Sequence, residues 1–176
     1  MSQAPRKESW DMRTAGFCSV VMVALLLAAC GGSSKQSASG AETQKEADYY
    51  AIDQIEKIWH QAASTHDVNK MMSIWAPNAT FNIGTETLSG AKQIRNFFTT
   101  KAAPFQPQNH WVSDTPAYKI RITVNGDKGT LYFECHYIDV KTKKVAVVVG
   151  ADQNVQKING KWLITNAAAA TPSLTP

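Results

Sequence analysis

Apolar residues in the first half of the chain recur at helical spacing. Tyr49, Ile52, Ile55, Ile58, Trp59 and Ala62 fall three or four apart, with Asp53, Glu56 and Lys57 on the other side. The stripe breaks at Ser64-Thr65-His66-Asp67. Asp67 carries a short carboxylate of the kind that accepts the free amides at a helix start. A second, short helix is expected over Val68, Met71, Met72, Ile74 and Trp75, stopped by Pro77. Thr80-Phe81-Asn82-Ile83 reads as a strand ending at Gly84, and Ser89 opens a third helix with Ile94, Phe97 and Phe98 as its stripe.

Beyond Pro104 the period shortens to alternation. Strands are expected over 110–112, 118–124, 130–140, 145–149, 152–158 and 161–166. Asn125-Gly126-Asp127 and Asn159-Gly160 supply the residues that primed hairpin turns require. Three helices followed by an antiparallel meander predict an α+β domain with the helices on one face of a sheet. In the strand from Thr130, Leu131, Phe133, Cys135 and Tyr137 form one apolar face, which should meet the helices. Tyr132, Glu134, His136 and Ile138 form the other. Glu134 and His136 are too few to hold a metal. Val145 to Val149 are apolar on both faces, which predicts a cover for the outer face. A homodimer using Tyr132, Ile138 and Val148 is the expected cover.

The longest apolar run lies earlier, from Ala15 to Ala29, broken only by Ser19. It falls short of the roughly 20 residues of a membrane span. With Arg13 before it and small residues after it, it follows the plan of a secretory signal peptide. Leu27-Ala28-Ala29-Cys30 resembles the lipobox of bacterial lipoproteins. That resemblance implies cleavage before Cys30, acylation of its thiol and amino group, and a membrane anchor of two or three chains. Gly31 after the cysteine favours an outer membrane if the organism has two. The written start dilutes a positive leader with Glu8 and Asp11, so translation from Met12 is expected to serve equally well.

The resulting organisation is a lipoprotein signal peptide over 1–29, a lipidated Cys30 and flexible tether over 30–44, a folded domain over 45–168, and a disordered tail over 169–176. Of 18 basic and 14 acidic residues, three and two leave with the leader, so the mature chain carries a net charge near +3. The charge is dispersed, which argues against a nucleic-acid surface. The densest basic stretch, Lys141-Thr142-Lys143-Lys144, sits between two strands as a solvated hairpin tip. With Cys18 removed and Cys30 acylated, Cys135 has no disulfide partner and reads as a small buried hydrophobe. No nucleotide, haem or metal motif is present, so no cofactor is expected.

The ordered set of Asp67, Trp75-Ala76-Pro77-Asn78-Ala79, Ser89-Gly90, Gly126-Asp127 and Asn159-Gly160-Lys161-Trp162 resembles the SnoaL-like branch of the nuclear-transport-factor-2-like superfamily. The resemblance covers about residues 45 to 168. It implies a cone-like, strongly curved sheet wrapped around the helices, with a pocket at its open end. Trp59, Trp75, Phe81, Phe98, Trp111 and Phe133 are expected to line that pocket, together with Tyr137. Members include isomerases, dehydratases, hydrolases and non-catalytic binding modules, so the fold does not supply a function.

An enzyme of this kind needs a proton-transfer group and an oxyanion donor on the pocket wall. His110 stands near the place where SnoaL-like enzymes carry a cavity histidine. Asp152 is the best candidate base, although a bulge expected at Gly150 hides its face. Tyr137 and Tyr50 are candidate donors. Asn78 stands where many relatives carry Asp, which weakens the case for catalysis. His60 and His66, at a helix end and a loop, are expected in solvent. The expectation is a lipid-anchored envelope module that binds a small apolar ligand or a protein partner. The alternative is an acid–base enzyme built on Asp152, His110 and a tyrosine.

Overall fold

The computed structural model describes residues 34–113 and 117–170, with side chains from residue 39 onward. The expected signal peptide, the anchor at Cys30 and most of the expected tail lie outside the described residues. Helix α1 (Ser34–Ser64) leads into α2 (Val68–Met72), followed by β1 (Trp75–Ile83), β2 (Glu86–Ser89) and α3 (Gly90–Thr100). A 3₁₀ turn over Ala103–Phe105 precedes β3 (Trp111–Ser113), β4 (Tyr118–Asn125), β5 (Lys128–Asp139), β6 (Lys144–Ile158) and β7 (Lys161–Ala170).

Helix α1 starts before the expected position, so residues 34–44, read as tether, are helical here. Residues 39–47 are exposed along it. The buried stripe begins at Asp48. Its carboxylate accepts from Lys157 Nζ at 2.7 Å and from Trp162 Nε1 at 2.9 Å, which ties the helix to the β6–β7 hairpin. Those donors, led by Lys157, hold the Asp48 carboxyl below its ordinary value. Ile52, Ile55 and Trp59 then bury completely or nearly so. A fully buried side chain of this kind contributes roughly 1.5–3 kcal/mol. Asp67 caps α2 as expected, accepting from the Lys70 amide at 2.8 Å.

The sheet runs β2-β1-β7-β6-β5, and β3 and β4 share the far edge of β5. It is a curved, open sheet with the helices on one face. It is not wholly antiparallel, because β1 pairs with β7 in parallel. The whole intervening chain connects those two strands, so no hairpin fixes their direction. Two strand boundaries also differ from expectation. Trp75-Ala76-Pro77 begins β1 instead of ending a helix. A register shift between Trp75 and Thr80 accommodates Pro77, which has no N–H to give the ladder. Strand β2 was not expected. It pairs back on β1 through a turn in which Gly84 takes φ +58°. The turns at Asn159-Gly160 and Gly126-Asp127 form as expected, with Asn159, Gly160 and Gly126 at positive φ.

The phase of β5 is the one expected from its alternation. Leu131, Phe133, Cys135 and Tyr137 are buried on the helix side. Part of the opposite face is covered by the chain's own side chains. Arg121 Cζ lies 3.9 Å above the Tyr132 ring, and Tyr118 stacks on His136 at 4.0 Å. Glu134 sits between them at 4 % exposure. Tyr132 Oη donates to it at 2.9 Å, and Lys119 Nζ lies at 3.1 Å. Val148, expected at a dimer contact, is already buried in the single chain.

Candidate functional site

Between α1, α3, the 3₁₀ turn and the inner face of the sheet lies an apolar cavity of about 310 Å³. Trp59 reaches it from α1, Phe81 from β1, Phe98 from α3, Trp111 from β3 and Tyr137 from β5. Val149 and Ala169 close the sheet side. Aromatic packing sets the wall: Trp59 meets Phe98 at 5.8 Å edge-to-face, and Trp111 meets Tyr137 at 6.3 Å. The volume lies at the lower end of the range for small-molecule sites.

Four of the six aromatic residues expected on the wall are there: Trp59, Phe81, Phe98 and Trp111. Trp75 and Phe133 are not. Trp75 packs behind Phe81 at 5.0 Å, and Phe133 is fully buried against Trp59 at 5.7 Å. Both belong to the core beneath the cavity.

Of the three candidate catalytic residues, only Tyr137 reaches the cavity. His110 is exposed just before β3, where its carbonyl accepts from the Val140 amide at 3.2 Å. Alternation explains this, since Trp111 and Ser113 turn inward while Val112 turns out. Asp152 is exposed on the outer face of β6, paired with Tyr132 and Ala168. It lines an outer groove of about 340 Å³ with Arg121, Tyr132 and Asn154. The irregularity in β6 falls beside Val145–Val147, not at Gly150, so Asp152 keeps the simple outward phase. Gly150 is small for a different reason: a Cβ there would lie 2.9 Å from Tyr132 Oη. Asp152, His110 and Tyr137 therefore do not form an acid–base site. Tyr50, at 66 % exposure, and Asn78 are also on the surface.

Behind the cavity lies a polar seam that the sequence reading missed. His60 and Glu56, expected in solvent, are fully buried. Helix α1 continues past His60 to Ser64, and 52, 56 and 60 share one helical row. That i, i+4, i+8 spacing was the available signal. His60 Nδ1 lies 3.1 Å from Ser113 Oγ, and His60 Nε2 lies 3.1 Å from Cys135 Sγ. Strand β3 is held in place by the Ser113 amide, which donates to Ser64 Oγ at 2.8 Å. Cys135 is also hydrogen-bonded to Tyr137, whose hydroxyl accepts from Trp59 Nε1 at 3.4 Å. The seam thus runs from Glu56 through His60 and Cys135 to Tyr137, the hydroxyl-bearing side chain among the described lining residues.

Its electrostatics follow from burial. Glu56 Oε2 lies 3.9 Å from His60 Nε2, and among the described residues no side chain donates to either Glu56 oxygen, the Ala117 amide being the one backbone donor that acts on it. Desolvation, with the nearby Asp53 charge, pushes its carboxyl up to about 7. Burial likewise pushes the Cys135 thiol up to about 12, so it remains a protonated thiol near neutral pH. Burial raises the Tyr137 hydroxyl well above its ordinary value, which keeps it a donor. Among the described residues no group of three His, Cys, Asp or Glu side chains is placed to hold a metal ion. Among them too, no helix is long and apolar enough to cross a membrane.

This combination of a curved sheet, three helices and a pocket between them defines an NTF2-like α+β domain. The SnoaL-like domain family matches residues 44–168, and the chain belongs to that family. Solved structures agree on the fold. An NTF2-like protein with a cystatin-like fold from Novosphingobium aromaticivorans superposes with a TM-score of 0.69 at 15% identity, covering 82% of this chain and 94% of its own. A hexachlorocyclohexane dehydrochlorinase, LinA-type3, from Novosphingobium barchaimii gives 0.62 at 15% identity, covering 77% and 93%. A protein of unknown function from Nostoc punctiforme gives 0.60 at 16% identity, covering 73% and 94%. No curated protein matches the chain at a significant level.

Proposed function

We propose that the SnoaL-like domain binds a small apolar molecule in its inner cavity without transforming it. We further propose that it does so as an envelope lipoprotein anchored through Cys30. The observation that carries the first reading is the cavity wall. Its described lining residues include no carboxylate and no imidazole, and the two ionisable residues expected there, Asp152 and His110, point elsewhere. A preformed apolar pocket with few polar groups is suited to retaining a ligand. The anchor rests on the lipobox-like Leu27-Ala28-Ala29-Cys30.

Native mass spectrometry of the full chain carrying Cys30→Ser, isolated from its own envelope, tests the pocket. A retained small molecule, absent from a Val149→Trp variant that fills the cavity, is the expected result. An empty wild-type chain under the same conditions contradicts it. Incorporation of labelled palmitate, lost with Cys30→Ser, is the expected result for the anchor.

A second reading, an acid–base enzyme, is favoured by one observation. Glu56 is held near neutrality, where a general base works best, and the seam links it to the wall. The fold neighbour named as a dehydrochlorinase is consistent with that class. Against it, Glu56 and His60 do not line the cavity, and a protonated thiol stands between them and Tyr137. Recovery of the retained ligand chemically unchanged after incubation supports binding, whereas conversion that Glu56→Gln abolishes supports the enzyme.

The outer face carries exposed apolar residues. Val112, Ile138 and Val145 are cross-strand neighbours, with Val145 51 % exposed. We propose that two copies pair there. Sedimentation of a dimer that Val145→Lys dissociates is the expected result.

A further inference from the structure

The donors and acceptors of the cavity wall restrict what can fill it. Among its described lining residues only four side chains carry polar atoms: Trp59, Lys101, Trp111 and Tyr137. Indole and ammonium groups donate and cannot accept, and the tyrosine hydroxyl does both. Trp59 Nε1 already donates to Tyr137 Oη at 3.4 Å, which occupies part of the hydroxyl's acceptor capacity. The neighbour to which Tyr137 Oη can donate is Cys135, whose sulfur accepts weakly and is itself engaged with His60 at 3.1 Å. An oxygen entering the cavity competes well for that proton. Lys101, the one cation, is half exposed at the mouth, and both oxygens of Glu86 hold it, at 3.0 and 3.2 Å. Its charge is therefore matched before any ligand arrives.

We infer that the cavity takes an uncharged molecule with an apolar body and one acceptor oxygen, a carbonyl or an ether, bound to the Tyr137 hydroxyl. This rests on the reading of the cavity as a ligand site. A cation is disfavoured because no carboxylate stands among the described lining residues, leaving only aromatic faces to meet its charge. A carboxylate is disfavoured because it would lose its water against apolar side chains with no uncompensated charge to meet it. A pure hydrocarbon fits the shape but leaves the hydroxyl proton with only the sulfur.

The test uses three probes of one shape on the full chain carrying Cys30→Ser: 2-acetylnaphthalene, 2-isopropenylnaphthalene and 2-naphthoate. The first two differ by a carbonyl oxygen against a methylene, and binding is read from tryptophan fluorescence. The readout is the ratio of the ketone and alkene dissociation constants in wild type and in Tyr137→Phe, which cancels changes in pocket shape common to both probes. A net hydrogen bond near 1 kcal/mol corresponds to about a fivefold shift of that ratio against the ketone in Tyr137→Phe. That shift, with naphthoate the weakest of the three on the wild type, is the expected result. An unchanged ratio, or naphthoate binding tightest, overturns the inference while leaving the cavity a ligand site. Failure of all three probes to bind the wild type overturns the reading of the cavity itself.

Discussion

A glutamate lies beside a histidine on each side of the sheet, Glu56 and His60 on α1 and Glu134 and His136 on β5, and both glutamates are buried. On the inner side Glu56 lies 3.9 Å from His60 with no side-chain donor on either oxygen among the described residues, only the weak influence of the Ala117 amide. On the outer face Glu134 lies 3.6 Å from His136, but Lys119 and Tyr132 also reach it. Burial raises both carboxyls. For Glu56 it prevails, with the Asp53 charge adding to it, and the carboxyl rises to about 7. For Glu134 the hydrogen bonds from Lys119 and Tyr132 and the Lys119 charge outweigh burial, and the carboxyl falls below its ordinary value. Satisfied donors, more than depth, separate a structural ion cluster from a group poised to titrate.

The largest expected effect breaks that comparison on the inner side. A carboxyl raised in the folded state contributes stability that is complete below its unfolded value near 4.5 and is lost as pH rises to about 7. The wild type should therefore lose about 2–3 kcal/mol of unfolding free energy between pH 4.5 and pH 8 through Glu56. Glu56→Gln should flatten that loss. Urea melts of both proteins at several pH values measure it, and parallel pH curves contradict the account.

The outer pair should behave in the opposite sense. Glu134 contributes stability present above its unfolded value near 4.5 and lost as pH falls through its lower folded value. Glu134→Gln should cost about 1–2 kcal/mol at pH 7, through weakened charge-assisted bonds to Lys119 and Tyr132. The difference should shrink at pH 3. Thermal melts at the two values check it. Smaller still, Arg121→Ala removes a guanidinium 3.9 Å from the Tyr132 ring on an exposed face. It should cost under about 1 kcal/mol. A larger loss would mean that the outer layer is more than a cover.

The same contrast shows how far the sequence could be read. The phase of β5 was legible because Leu131, Phe133, Cys135 and Tyr137 alternate cleanly with polar neighbours, while the four wall aromatics followed from the family resemblance. Asp152 was misplaced because Gly150 looked like a bulge. It is small because the Tyr132 ring lies against it, which only the pairing of β5 with β6 reveals. Glu56 and His60 were missed because charge was taken to mean solvent, although their spacing put them on the buried row. Strand β2 and the parallel β1–β7 pair depend on contacts between distant segments, which local periodicity does not encode. The polar cover over the outer face arises in the same way, from side chains of β4 and β5 meeting across the strand pair.

On the proposed reading ligand chemistry belongs to the inner face and the outer groove is structural. Amide and indole NMR shifts of the labelled full chain carrying Cys30→Ser, titrated with 2-acetylnaphthalene, test this most directly. Saturable shifts are expected at the Trp59 and Trp111 indoles and at Tyr137, Val149 and Ala169, with Arg121, Asp152 and Asn154 unmoved. Shifts centred on Arg121 and Asp152 instead would contradict it and return the site to the outer face.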